Sequence, residues 1–190
     1  MAGNRRRIQE SQVGVFAIDA GGHTGVAKGI FVPKSTLKET LTEQSAIRNL
    51  LRDSYTIGGT PHAQARQLFS LWRRFYADCL TPPYSATPEN VWMVIESFYL
   101  SPDASPGGDV LLSTQVAHTL LGYRYGAADE FDRSHANPIK PIQVAWQTPS
   151  EALSYATDER LRRWGLWVKG REHERDAFRH LAYFLNRRID

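Results

Sequence analysis

The sequence has a single cysteine, Cys79, in 190 residues. That excludes a disulfide framework and a cysteine-built zinc site. No apolar run approaches the roughly 18 residues of a membrane span, so no membrane partner is expected. The basic N-terminus lacks the apolar core of a signal peptide, so no secretion signal is read there either. Net charge is only +3, too small to mark a polyanion binder by itself. The excess is uneven, with Arg5, Arg6 and Arg7 near the start and an arginine run from Arg160 onwards. It permits a polyanionic partner and equally describes a solvated basic face. With 42% hydrophobic and 23% charged residues, the composition is that of a globular protein rather than a disordered one. The expectation is one domain over residues 13–190 behind a loose basic arm, residues 1–12, in a reduced cytoplasmic compartment.

What is present is organised around Val13 to Gly25. Val13, Val15, Phe16 and Ile18 form a short apolar run of strand formers that ends on Asp19. Gly21, Gly22 and Gly25 allow a tight reversal, and Val26 to Val32 returns as a second strand. A carboxylate at the last position of a core strand is held by the packing beneath it, as a metal or phosphate ligand must be. It also suits a plain turn cap.

A third antiparallel strand is expected within Ser35 to Asn49, after a turn at Pro33 to Ser35, and a loop over Asp53 to Thr60. Thr60-Pro61 opens a helix with an apolar face of Ala63, Ala65, Leu68, Leu71, Trp72 and Phe75. Thr81 to Pro88 is a connection. Val91 to Ile95 is a second fully apolar strand, and it too ends on a carboxylate, Glu96. Ser97 to Gly108 reads as an exposed loop. A helix follows from about Asp109 to Arg124, with Val110, Leu111, Thr114, Ala117, Leu120 and Leu121 as its buried stripe. Ala127 to Pro138 reads as linker, and Ile139 to Trp146 as a strand whose Pro141 places its start at an edge. Thr148 to Glu151 carries a capping-box pattern. A second short helix lies within Thr157 to Gly170, and the last helix runs from about Arg171 to Arg187. The order is that of one mixed α/β domain.

Two strands thus deliver Asp19 and Glu96, and crowding acids costs energy unless a cation is present. In the last helix His173 and Asp176, three apart, share a face, while Glu174 and Arg175 fall on the outer side. Oxygen ligands with at most one imidazole suit magnesium or manganese rather than zinc. Two such ions can drive phosphodiester hydrolysis. A helical His-x-x-Asp also occurs by chance, and Glu96 alone could cap the following loop. It is the joint pattern that is specific.

These residues resemble a family. Ile18-Asp19 with Thr24-Gly25, then Val94-Ile95-Glu96, then His173, Asp176 and Ala177 in a terminal helix, are similar to the RuvC-type Holliday junction resolvases of the RNase H-like superfamily. The resemblance runs from about Val13 to Leu185, and the flanking sequence is nearest to RuvC-like proteins of bacteriophages. It implies an RNase H-like mixed sheet, antiparallel hairpin strands plus parallel strands, flanked by helices. It implies Asp19, Glu96, His173 and Asp176 as the metal-binding catalytic set. Their magnesium-dependent cut would leave 5′-phosphate and 3′-hydroxyl ends on four-way DNA junctions. It further implies a homodimer, with the helix at Asp109 to Arg124 at its interface, and Tyr99, neighbour to Phe98, stacking on DNA bases. For a phage protein the compartment would be the host cytoplasm. The Ser97–Gly108 loop and the Thr157–Gly170 segment differ from the bacterial members.

Lys28, Lys169, Arg171 and Arg175 are candidate phosphate contacts, though each taken singly reads better as a solvated charge, and Arg171 and Lys169 are the better candidates because they sit beside the site. His180, seven residues beyond His173, reads as structural or solvent-exposed. His23, in the turn after Asp19, could approach a phosphate. Trp146, Trp164 and Trp167 read as core or helix-docking residues. Other functions fit parts of the pattern: a broader branched-DNA or flap nuclease, a junction-binding module without catalysis, or an ATP-handling protein of the actin/hexokinase type. The last would need two such halves and leaves His173 and Asp176 unexplained.

Overall fold

The computed structural model describes residues 12–31, 52–84, 86–97, 112–123 and 143–189. Its centre is a five-stranded sheet of β1 (Val13–Asp19), β2 (Thr24–Phe31), β3 (Arg52–Ile57), β4 (Val91–Glu96) and β5 (Gln143–Gln147). The strand order is β3-β2-β1-β4-β5. β1, β2 and β3 are antiparallel, while β4 pairs parallel to β1 and β5 parallel to β4. An antiparallel hairpin continued by parallel crossover strands is the RNase H-like arrangement.

The period-2 alternation of the strands sorts their side chains into two cores. Phe16, Ile18, Val26, Ile30, Met93 and Ile95 face one side, where they pack on α1 (Pro61–Leu80) through Leu68, Trp72 and Phe75 and on α2 (112–123) through Val116 and Leu120. Val15, Ala17, Ala27 and Val94 face the other, beneath α5 (Glu172–Ile189). Two short helices, α3 (Pro149–Tyr155) and α4 (Asp158–Arg163), complete that second layer. Thr148 and Glu151 form the expected capping box of α3, and Thr60 caps α1 by accepting from the Ala63 N–H.

The burial of Phe178, Leu181, Phe184 and Leu185 on α5 is what fixes the helix to the sheet. At about 1.5–3 kcal/mol for each large apolar side chain, these four together outweigh the few kcal/mol that a crowded, buried carboxylate costs. The helix can therefore press polar groups into the sheet end.

Three expectations change. Residues 53–57, read as a loop, are most of β3: Tyr55 and Ile57 alternate with Ser54 and Thr56, and the strand closes the sheet edge on β2. On α2 the buried stripe is Ser113, Val116, Ala117 and Leu120, whereas Thr114 is exposed and Leu121 half-buried. The helix is rotated because Ser113 turns inward to donate to the Ala20 carbonyl at 2.6 Å. Trp146 is 47% exposed instead of core, since it lies on strand β5 at the sheet's edge. Outside the described residues lie the arm at 1–11, the Pro33 turn and Ser35–Asn49 strand, Phe98, Tyr99 and the loop to Gly108. So do the first turn expected at 109–111, Arg124, the Ala127–Pro138 linker and the Pro141 strand start.

Candidate active site

Register decides which groups meet. Asp19 pairs with Gly25 on β2, and Gly25 with Thr56 on β3. Ile18 is aligned with Ile95, so Asp19 and Glu96 come next in register on parallel neighbours, and Glu96 pairs with Gln147 on β5. The result is a row across one end of the sheet: Thr56, Gly25, Asp19, Glu96, Gln147. By strand alternation, Asp19 follows Val15 and Ala17, and Glu96 follows Val94, onto the face that α5 covers. Adjacent strands lie about 4.8 Å apart, so the two carboxylates are forced together.

The turn after Asp19 is pinned from both layers. Beneath it, the buried Gln64 donates to the carbonyls of Gly22 at 3.0 Å and Gly59 at 2.9 Å, and accepts from the Thr24 hydroxyl at 2.5 Å. Above it, α5 lies so close that a Cβ on Gly25 would stand 1.9 Å from the His173 carbonyl oxygen. This approach brings His173 Nδ1 to 3.3 Å from Asp19 Oδ2. The exposed His23 ring stacks on the other side of His173, with centroids 6.0 Å apart.

Glu96 is 7% exposed, and its Oε2 is buried without a hydrogen-bond donor among the described residues. Burial first, then proximity to Asp19 with which it can share a proton, then the charge of Asp176, hold its carboxyl well above the usual range. Burial likewise raises Asp176, against the pull of Arg179. Arg179 bridges Asp176 and Asp158 and donates through Nε to the Ala156 carbonyl at 3.1 Å. His180 is 2% exposed, and its Nε2 lies 3.9 Å from Glu96 Oε1. Burial pushes its pKa down to about 4, so it is neutral at ordinary pH.

The four sequence-derived ligands therefore occupy one end of the sheet, with Asp19, Glu96 and Asp176 within electrostatic reach of one another. Among the described residues, no three His, Cys, Asp or Glu side chains close on a single point. One Asp176 oxygen is engaged by Arg179. As donors, carboxylates with one imidazole, and a buried carboxylate oxygen that has no partner among the described residues, could hold a hard divalent cation.

The proposed DNA contacts stand in different settings. Arg171 has a 59% exposed side chain at 3.3 Å from Glu174, and Lys169 is exposed beside it. Lys28 is buried on the α1 face, 3.7 Å from Asp53 and over the Tyr55 ring. Arg175 is half-buried, donates to the Val168 carbonyl at 3.2 Å and lies over Trp167, whose other neighbour is Arg162. Glu174, expected on the outer side, is 2% exposed. The N-terminal end of α5 overhangs β3, where the Ser54 and Thr56 hydroxyls and Arg171 satisfy the Glu174 carboxylate. The sequence marks Gln147 only as the first residue of Gln147–Ala152, the stretch after the last strand that leads into a proline-started helix, and gives it no place in the site.

No family model and no curated protein matches the sequence. Two solved structures are similar to it. One is a Thermus thermophilus RuvC structure, 13% identical, covering 92% of this chain and 94% of that one with a TM-score of 0.49. The other is T. thermophilus RuvC in complex with a Holliday junction substrate, 15% identical over the same shares, with a TM-score of 0.47. The similarity spans most of both chains and is one of shape rather than sequence.

Proposed function

We propose that this protein is a metal-dependent endonuclease of branched DNA that resolves four-way junctions. The observation that carries the reading is the in-register pair Asp19 and Glu96 beneath α5, with Glu96 Oε2 buried and unpartnered. Carboxylates that hold a metal need that rigid support. Asp19, Glu96, His173 and Asp176 would hold magnesium, or manganese in its place. When bound, such ions would supply activation of a water and stabilisation of the leaving oxygen in phosphodiester hydrolysis.

The chain's own residues do the rest. The sheet and Gln64 fix Asp19, α5 brings His173 and Asp176 over it, and Arg179 keeps Asp176 turned along the helix. Arg171 and Lys169, exposed at the α5 end, would meet phosphates of the bound strand, and Phe98 and Tyr99 would stack on unpaired bases. Lys28 and Arg175 would reach DNA only by giving up their internal partners. A second copy of the chain, docked through α2, would place a second site on the opposite strand.

The test is cleavage of a labelled synthetic four-way junction beside a matched linear duplex and a flap, with and without magnesium. Paired symmetric nicks on the junction alone, only with metal, are expected. Equal cutting of all three substrates would make it a general branched-DNA nuclease. Tight junction binding without cutting would make it a non-catalytic module.

A further inference from the structure

Gln147, His180 and Glu96 are three polar side chains at 6%, 2% and 7% exposure under α5. Polar groups buried so deeply must satisfy one another, since each one left unpaired costs about 1–3 kcal/mol. The Gln147 amide does so in one orientation. Its Nε2 donates to the His180 carbonyl at 3.0 Å and to His180 Nδ1 at 3.1 Å, and its Oε1 accepts from the Phe184 N–H at 3.2 Å.

A ring nitrogen that accepts a hydrogen bond carries no proton, so the proton of the neutral imidazole is on Nε2. That nitrogen lies 3.9 Å from Glu96 Oε1, facing it from beyond direct hydrogen-bond range, while Oε2 of the same carboxylate has no donor among the described residues. The two Glu96 oxygens are therefore unequal: Oε1 faces an N–H donor, and among the described residues Oε2 has no such donor.

We propose that His180 is a positioning residue for the cation site: with its tautomer set by Gln147, its Nε2–H faces Glu96 Oε1 and draws that oxygen toward itself, which would leave Oε2 to the metal. This rests on the metal-dependent reading above. Carboxylates that bind metals are commonly oriented by such outer hydrogen bonds, whose loss costs about 10–100-fold in metal affinity or activity. Here the relay runs from edge strand β5 through the helix to its neighbour β4, Gln147 to His180 to Glu96. It couples the seating of α5 on the sheet to the aim of the ligand.

The experiment has two parts. Long-range nitrogen–proton NMR of the metal-free, nitrogen-labelled protein reads the His180 tautomer. A neutral ring protonated on Nε2 is expected, and protonation on Nδ1 overturns the relay whether or not the protein cuts DNA. Calorimetric titration with manganese alone then compares the parent with His180→Leu, His180→Gln and Gln147→Leu, each checked by its melting temperature. His180→Leu is expected to lose about tenfold or more in affinity, and Gln147→Leu to fall in the same direction. His180→Gln, whose amide can donate near the Nε2 position, should recover most of the loss. Equal affinity in all four proteins overturns the proposal, as does an equal loss in His180→Gln and His180→Leu, which marks packing alone. Should His180→Leu fail to fold, the Gln147→Leu titration and the tautomer decide. A parent that binds no manganese overturns the metal reading and the positioning role together, with the tautomer reported separately.

Discussion

The carbonyl of His173 occupies the space where a side chain on Gly25 would begin. A Cβ there would lie 1.9 Å from that oxygen and 2.2 Å from its carbon. Gly25 is the ladder partner of Asp19, so the missing side chain admits α5 at the level of the candidate ligand. The glycine does more than complete a turn: it sets how close a helix can come.

Gly25→Ala should therefore push the start of α5 off the sheet. Overpacking of this kind costs about 1–3 kcal/mol, and the contact here is with backbone, which yields least. The expected result is a loss of about 3 kcal/mol or more in chemical denaturation, with weaker manganese binding in whatever folds. Parent-like stability and affinity together would show that α5 is seated by its apolar stripe alone.

Stability should depend on pH in a way that a divalent cation reverses. In the metal-free fold Glu96 keeps its proton above the ordinary value of 4.5, where the unfolded chain has lost it. The native state then binds more protons, so stability falls as pH rises. His180, depressed to about 4, gives the opposite slope, but only below its unfolded value near 6.5. Melting temperature in chelator should thus fall between about pH 7 and about pH 9, Glu96→Gln should flatten the curve, and magnesium should restore the alkaline end. A flat parent profile would argue against the crowding.

Glu174 gives the opposite kind of prediction, one of stability without chemistry. Its carboxylate accepts from Ser54, Thr56 and Arg171, and hydrogen bonds to a charged group contribute about 1.5–3 kcal/mol each. Glu174→Ala should cost about 3 kcal/mol, and Glu174→Gln less. Cleavage measured well below the melting point should survive in both variants. Loss of cleavage in a folded Glu174→Gln protein would move this residue into the site.

Asp19→Asn and Asp176→Asn should each abolish cleavage and leave junction binding in metal-free buffer near the parent value, because each removes a ligand charge rather than a DNA contact. Asp19→Asn should also weaken the fall of melting temperature with pH in chelator, since it removes one of the two charges that keep the Glu96 proton in place. Gel-shift and melting measurements on the same preparations check both halves. Binding that falls in step with cleavage would count against the ligand assignment.

The sequence by itself determined the strand ends and the acids on them. Val13 to Asp19 and Val91 to Glu96 are apolar runs closed by a carboxylate, and His173 and Asp176 sit three apart on a helix with an apolar stripe. Those are local patterns, written in neighbouring residues, and they sufficed for the mixed sheet and for four candidate ligands. Tertiary structure alone decided the environment. Arg52–Ile57 is polar enough to read as loop, and only pairing with β2 makes it a strand. Glu174 looks solvent-facing until α5 crosses β3, and Gln147 and His180 are ordinary until register sets one beside Glu96 and the helix brings the other. A polar side chain's role depends on what shares its burial, and that is set by residues far off in sequence, 33 positions for Gln147 and His180 and 120 for Glu174 and Ser54.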